Sequence, residues 1–339
     1  MRDRLNGWLA SAPKVELHIH LEGGMRLETV RELASKYDPG SAIGSPEWVA
    51  KAFDFRSFAG FLEALTPITK FCIRSPRDYE RIADELFEDL ASQNVKYAEV
   101  SFSPTPRLEY MTFAEMAEAI DLARERAERK GLIKIGLIAG LNRSYGPERA
   151  MELVKAAIEN RHRGIVGLDL HGDEINWPPE LFKESFQLAR EEGLGTIAHA
   201  GEAVGADSIW GAVKVLGVSR VEHGIQAIGD GSLMEYLRQH KITLDICPTS
   251  NIKTGVVASW DEHPIRRLFD AGVKVTVNSD DPLPFQTTIT QELKIAVDEF
   301  GFTKDEIRQV TLNAVDGSFL PSSEKASIKK EIEQSYDSI

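Results

Sequence analysis

Val15-Glu16-Leu17-His18-Ile19-His20 reads as a short β-strand that ends in two histidines. On a strand, residues two apart face the same side, so the two imidazoles point together. Held side by side and neutral, they are a ready pair of metal ligands. An isolated His-x-His is more often a pair of core histidines closing a strand. What favours the metal here is a set of matching groups far downstream: His199, Glu202, His223, Asp280 and Asp281.

The same kind of run recurs along the chain. Strand candidates are Val15–His20, Tyr97–Phe102, Ile133–Ala139, Ile165–Leu170, Gly195–His199, Arg220–His223, Ile242–Cys247 and Val273–Asn278. Amphipathic stretches lie between them at Asp78–Gln93, Phe113–Lys130, Pro147–Asn160, Pro179–Glu192 and Leu233–His240. Several strands are apolar almost throughout, as expected when helices cover the sheet. Eight strands alternating with helices predict an α/β fold of the (β/α)8 TIM-barrel type. An open nucleotide-binding sheet is disfavoured, because no Gly-x-Gly-x-x-Gly follows the first strand and no Gly-x4-Gly-Lys-Ser/Thr occurs. The placement of polar groups agrees with the barrel. His18 and His20 end the first strand, Asp169 to Glu174 the fourth, and His199 to Glu202 the fifth; Glu222 and His223 end the sixth, and Asp280 and Asp281 follow the eighth. Such barrels build their active sites from the carboxyl ends of the strands.

A chain of 339 residues suggests two domains by length alone, but α/β barrels commonly reach about 250 residues or more as one. We therefore expect one barrel over residues 1–320, with an apolar helical insertion around 45–75 between the first two strands. Phe53, Phe55, Phe58, Phe61, Leu62, Leu65, Ile68 and Phe71 fall there largely at helical spacing. They fit either a helix packed on the barrel or an apolar wall at the pocket mouth. Residues 321–339 are polar, ending in Ser335-Tyr336-Asp337-Ser338-Ile339, and are expected to form a peripheral helix or tail with a frayed tip.

With 53 acidic against 40 basic residues and no basic run, the chain is a poor match for nucleic acid or an anionic membrane surface. No apolar run approaches the ~20 residues of a membrane span, and the first dozen residues do not resemble a targeting signal. Cys72 and Cys247 form no disulfide framework. A cytoplasmic protein is expected, which makes the sequon Asn142-Arg143-Ser144 a chance match. The acidic surface permits a monomer or a homodimer.

Three nitrogens from His18, His20 and His199 plus a carboxylate from Asp280 suit Zn²⁺, while Fe²⁺ or Mn²⁺ would also fit. A metal so held activates water near neutral pH, which predicts metal-assisted hydrolysis. Glu202 follows His199 by three residues and could act as a proton donor if buried, or simply begin the next helix. His223 could orient the attacking water, accept its proton, or be structural. Adjacent Asp280 and Asp281 repel unless a cation or a donor compensates, although Asx-turn chemistry before Pro282 is a plainer account.

Taken together and in order, these segments resemble the adenosine/adenine deaminases of the amidohydrolase superfamily from Pro13 to Pro282. The resemblance is carried by His18-Ile19-His20-Leu21-Glu22-Gly23, Asp169-Leu170-His171-Gly172-Asp173-Glu174, His199-Ala200-Gly201-Glu202, Glu222-His223-Gly224, Cys247-Pro248-Thr249-Ser250-Asn251 and Asn278-Ser279-Asp280-Asp281-Pro282. It implies one zinc held by His18, His20, His199 and Asp280, with Glu202, His223 and Asp280 catalytic. Glu202 would protonate purine N1 while hydroxide, guided by His223 and Asp280, attacks C6. It further implies that Gly172 and Asp281 bind purine N3 and N7, that Glu22 reaches the ribose 5′ end, and that adenosine yields inosine and ammonia.

Two positions depart from the pattern: Glu22 stands where the adenosine-specific animal members usually carry Asp, and His171 where a small residue is more usual. Glu22 and the Phe53–Phe71 segment keep a 5′-modified adenosine, such as aminodeoxyfutalosine or methylthioadenosine, as the alternative substrate. Adenine is less favoured by the Gly172-Asp173-Glu174 run. A non-catalytic purine-binding barrel is the reading from another class, and it would predict a lost ligand or acid, of which the sequence lacks none.

Overall fold

The apolar runs become eight strands: β1 (Lys14–His20), β2 (Val95–Phe102), β3 (Lys134–Asn142), β4 (Ile165–His171), β5 (Gly195–Ala200), β6 (Arg220–His223), β7 (Thr243–Ile246) and β8 (Lys274–Val277). The structure, a computed structural model, describes residues 2–337. The strands pair in chain order, each parallel to the next, and helices follow them, which is a (β/α)8 barrel. Every expected strand is present; β3 extends to Asn142, while β7 and β8 start one residue later than expected, because Ile242 N and Val273 N donate back to Leu237 O and Leu268 O of the preceding helical segments. The expected amphipathic segments are helices at Pro76–Ser92, Phe113–Arg129, Gly146–Glu159, Lys183–Glu191 and Gly231–His240. No described helix is long and apolar enough to cross a membrane.

The seam between the last and first strands is closed by only a few bonds. Near its lower end, Asn278 Oδ1 accepts from Leu17 N at 3.0 Å, and Glu16 Oε1 accepts from Ser279 N at 2.8 Å. At the upper end Asp280 bridges β1 directly: its N–H donates to His18 O at 3.0 Å, and its carbonyl accepts from His20 N at 2.9 Å. Asp280 adopts φ +63° to do so, an uncommon conformation for a residue with a side chain.

Unusually for a barrel core, charge fills the end opposite the strand termini. The Arg220 guanidinium lies 2.7 Å from both Glu99 Oε2 and Asp245 Oδ2, and it donates to Gly317 O at 2.9 Å. It also stacks over Phe319, whose ring packs against Gly167 and Gly195 and plugs the barrel floor. All three charged side chains are fully buried.

Between β1 and β2, helices at Pro46–Ala52 and Phe58–Phe71 carry the apolar segment. Phe61 stacks on Phe285 at 4.9 Å, and Phe55 meets both rings edge-on, which ties the segment to the loop after β8. The terminal helix, Ser322–Asp337, buries Tyr336 against Trp8 at 4.7 Å. The expected peripheral helix runs to Asp337, with Tyr336 packed in its last turn; Ser338 and Ile339 lie outside the described residues.

Replacing Arg220 with Met leaves Glu99 and Asp245 buried without their counter-charge. We expect this to cost ~3–5 kcal/mol of unfolding free energy in urea titrations. A loss within the range of ordinary surface substitutions would mean that the carboxylates are compensated otherwise.

Candidate active site

At the carboxyl ends of the strands, His18 and His20 from β1, His199 from β5 and Asp280 after β8 converge. All are buried, and their ligand atoms lie within 4.8 Å of one another. Asp280 Oδ1 is 3.5 Å from His18 Nε2 and 3.4 Å from His20 Nε2. His18 Nε2 is buried without a hydrogen-bond partner, which is costly unless something in the cluster takes its lone pair. The opposite ring nitrogens explain which edge faces inward. His18 Nδ1 meets Asp245 O at 3.0 Å and also contacts Glu222, while His199 Nδ1 lies 3.0 Å from Asp169 Oδ1. Metal-binding histidines are commonly oriented in this way, with one nitrogen on a carboxylate or carbonyl and the other free for the ion. Burial opposes ionisation of Asp169, but the imidazoles of His199 and His171 hold its carboxyl below the usual range. The residues therefore offer three imidazole nitrogens and one carboxylate oxygen that would suit a metal ion.

Around this cluster opens a cavity of about 540 Å³. His20, His199 and Asp280 line it together with Glu202, His223, Glu22, Gly172 and Asp281, while His18 lies buried beneath its surface. Glu202 is buried rather than placed on a helix surface; burial, with Asp280 nearby, pushes its carboxyl up to about 8. His223 Nε2 stands 3.6 Å from Glu202 and 3.8 Å from Asp280. Asp281 is likewise buried, and its Oδ1 has no partner; burial and the adjacent Asp280 raise its carboxyl well above the ordinary range. Gly23 permits this arrangement, because a Cβ there would overlap the Asp281 carboxylate at 1.6 Å. Gly172 sits at φ +95°, with Asn142 Oδ1 only 3.0 Å from where a Cβ would be.

Glu22 Oε1 accepts from Tyr79 Oη and Ser103 N, both at 2.9 Å, and Arg107 approaches it at 3.8 Å. His171 stacks on His20 at 5.7 Å and meets Ser103 Oγ at 3.3 Å through Nε2. Phe58, Phe61, Leu62 and Leu65 form the facing wall, so the insertion helix both packs and lines the chamber.

Several supports escaped the sequence reading. The Glu174 carboxylate accepts from the backbone N–H groups of Gly201, Glu202, Ala203 and Val204, the last three at 3.2, 2.9 and 3.3 Å. Four donors on one carboxylate hold the loop that carries Glu202. Arg143, fully buried after β3, donates to His199 O at 2.7 Å and to Trp177 O at 2.6 Å. Its place at a strand end was the available signal, since the carboxyl-end rule applies to β3 as to the others.

A model of the adenosine deaminase family matches residues 13–335 of this chain. The chain belongs to the adenosine deaminase family. It is 35% identical over 332 residues to the aminodeoxyfutalosine deaminase of Streptomyces avermitilis, covering 97% of this chain and 92% of that protein. It is 34% identical over 327 residues to the adenosine deaminase of Shewanella loihica, covering 94% and 97%. Among solved structures, a zinc-bound amidohydrolase from Burkholderia ambifaria aligns with a TM-score of 0.91 at 28% identity, covering 98% of this chain and 93% of that one. As a member of the adenosine deaminase family the protein is an aminohydrolase, an enzyme rather than a passive purine binder.

Asp169 bonds the back of His199 at 3.0 Å and lies 3.8 Å from His171 Nδ1, and it does not line the chamber, so its effect on metal can be read by a binding measurement apart from turnover. Asp169→Ala is expected to weaken zinc binding roughly 10–100-fold in competition against a chelator. Unchanged affinity would show that His199 needs no such partner.

Proposed function

We propose that the protein catalyses the zinc-dependent hydrolytic deamination of adenosine to inosine and ammonia. The observation that carries this reading is the convergence of His18, His20, His199 and Asp280, with the free Nε2 of His18 turned inward beside a buried acid. In this reading those four residues hold zinc; Fe²⁺ or Mn²⁺ would also suit three imidazoles and a carboxylate. When bound, the metal supplies a water nucleophile active at neutral pH.

The chain's own residues do the rest. Glu202, buried and facing the chamber, donates a proton to purine N1, which makes C6 electrophilic. Asp280 and His223 direct the nucleophile toward C6. Asp281, its Oδ1 unpartnered, meets purine N7, and the backbone at Gly172 meets N3. Glu22, clamped by Tyr79 and Ser103, lies where the sugar's 5′ end would be held. The ligand is a small purine nucleoside, and burial in the chamber excludes bulk water from the reacting face.

A second substrate is favoured by the far wall. Besides Glu22 the cavity is lined by Phe58, Phe61, Leu62 and Leu65, apolar surface that a plain 5′-hydroxyl would not use. A 5′-substituted adenosine would cover it, consistent with the activity named for the Streptomyces relative.

Ranking kcat/KM for adenosine, methylthioadenosine and aminodeoxyfutalosine on zinc-loaded protein separates the two. Adenosine in the usual enzymatic range of about 10⁴–10⁸ M⁻¹s⁻¹, and at least matching the others, supports the first reading. A value far below that for adenosine, with a 5′-modified nucleoside in range, selects the second. Under either, Glu202→Gln should lower kcat by about 10²–10⁴-fold with zinc content intact; unchanged turnover would remove Glu202 from the reaction.

A further inference from the structure

Behind His223 runs a chain of buried polar side chains whose proton positions are set from one end. The backbone N–H of Ile265, which can only donate, meets Nδ1 of His263 at 3.2 Å. Nδ1 of His263 is therefore the acceptor, and that ring's proton sits on Nε2. This Nε2–H faces Oδ1 of Asn251 at 3.2 Å. With its oxygen engaged, Asn251 presents Nδ2–H to Nδ1 of His223 at 3.1 Å. Nδ1 of His223 must accept, which leaves the proton of the neutral ring on Nε2, the nitrogen that faces Glu202 and Asp280.

The opposite amide orientation fails on the same count. It would put Nδ2–H against His263 Nε2, force that ring's proton onto Nδ1, and set it against the Ile265 N–H. Two donors would then meet in a buried place; His223, Asn251 and His263 are all buried, with Asn251 wholly so. His263 is further held by the Phe300 ring, 5.0 Å away.

We infer that the His263–Asn251 relay locks His223 in the Nε2–H tautomer, so that His223 acts as a hydrogen-bond donor into the chamber and not as a base. The sequence left both roles open. A ring that already carries its proton on Nε2 has no lone pair there to take one from the attacking water. Asn251 and His263 are positioning residues that act through His223. The catalytic consequence rests on the proposed deamination; the tautomer does not.

The test is nitrogen NMR of zinc-loaded protein labelled with ¹⁵N-histidine, where long-range proton–nitrogen correlations distinguish the two neutral tautomers. The Nε2–H pattern is expected for both His223 and His263, each assigned by loss of its signals on substitution. An Nδ1–H or doubly protonated pattern at His223 would overturn the proposal. Asn251→Asp is the companion variant, since a carboxylate accepts from both rings and moves the His223 proton to Nδ1. Its pattern should switch, with kcat falling about 10²–10⁴-fold and KM little changed. A switched tautomer with full kcat would refute the donor role. An Nε2–H pattern in a protein that deaminates none of the nucleosides would leave the relay standing and defeat the reading of function instead.

Discussion

The barrel is closed by the residue that would hold its metal. Asp280 donates its N–H to His18 O and accepts from His20 N, so the β8–β1 seam is sealed at the two histidines of β1. Its left-handed backbone aims the carboxylate inward between the same two imidazoles. Closure and ligand placement are thus one geometric constraint. Three of the four proposed ligands meet at the seam, and His199 comes from elsewhere in the barrel. A slip of one residue between β1 and the segment after β8 would open the seam and scatter the ligand set together.

Below that seam the interior is polar by necessity. Inward-facing imidazoles need partners on their other nitrogens, and these come from Glu222, Asp245 O and Asp169. Buried carboxylates need counter-charge in turn, and Arg220 supplies it to Glu99 and Asp245 near the floor. The arginine is in effect the far end of a support that starts at the His18 ring. Such a core is less tolerant than an apolar one, because removing any member strands a charge. The same logic runs outward along His223, Asn251 and His263, where a single backbone N–H decides proton positions three side chains away.

Much of this was legible in the sequence because strand ends are local features. Apolar runs bounded by Gly, Pro and charged residues mark β-strands one at a time, and the rim rule then groups His18, His20, His199, Glu202, His223, Asp280 and Asp281. Glu22 and Gly172 came through family resemblance, and the structure places both in the chamber. What stayed hidden depends on pairs distant in the chain. Nothing near Glu174 announces that four N–H groups from 201–204 will turn toward it. Nothing near His263 says that a buried amide twelve residues earlier separates it from His223. The Phe53–Phe71 stripe was ambiguous for a different reason: one helical face cannot say whether its apolar residues meet core or cavity, and here they meet both.

Chemistry and selectivity consequently sit on different parts of the fold. The reacting side is built from strand ends and short turns, held by buried bonds that leave little freedom. The apolar wall of the chamber is built from the insertion between β1 and β2, where Phe55, Phe61 and Phe285 pack on one another. Ring contacts are less directional than the hydrogen bonds that hold Glu202 and His223, so that wall can change its shape at small cost to the metal cluster. Glu22 joins the two parts. It is adjacent in sequence to the β1 ligands, yet its carboxylate is clamped by Tyr79 from the Pro76–Ser92 helix and by Ser103 after β2. A change in what the chamber admits can therefore arise around Glu22 and the insertion helix while the geometry at His18, His20, His199 and Asp280 stays as it is.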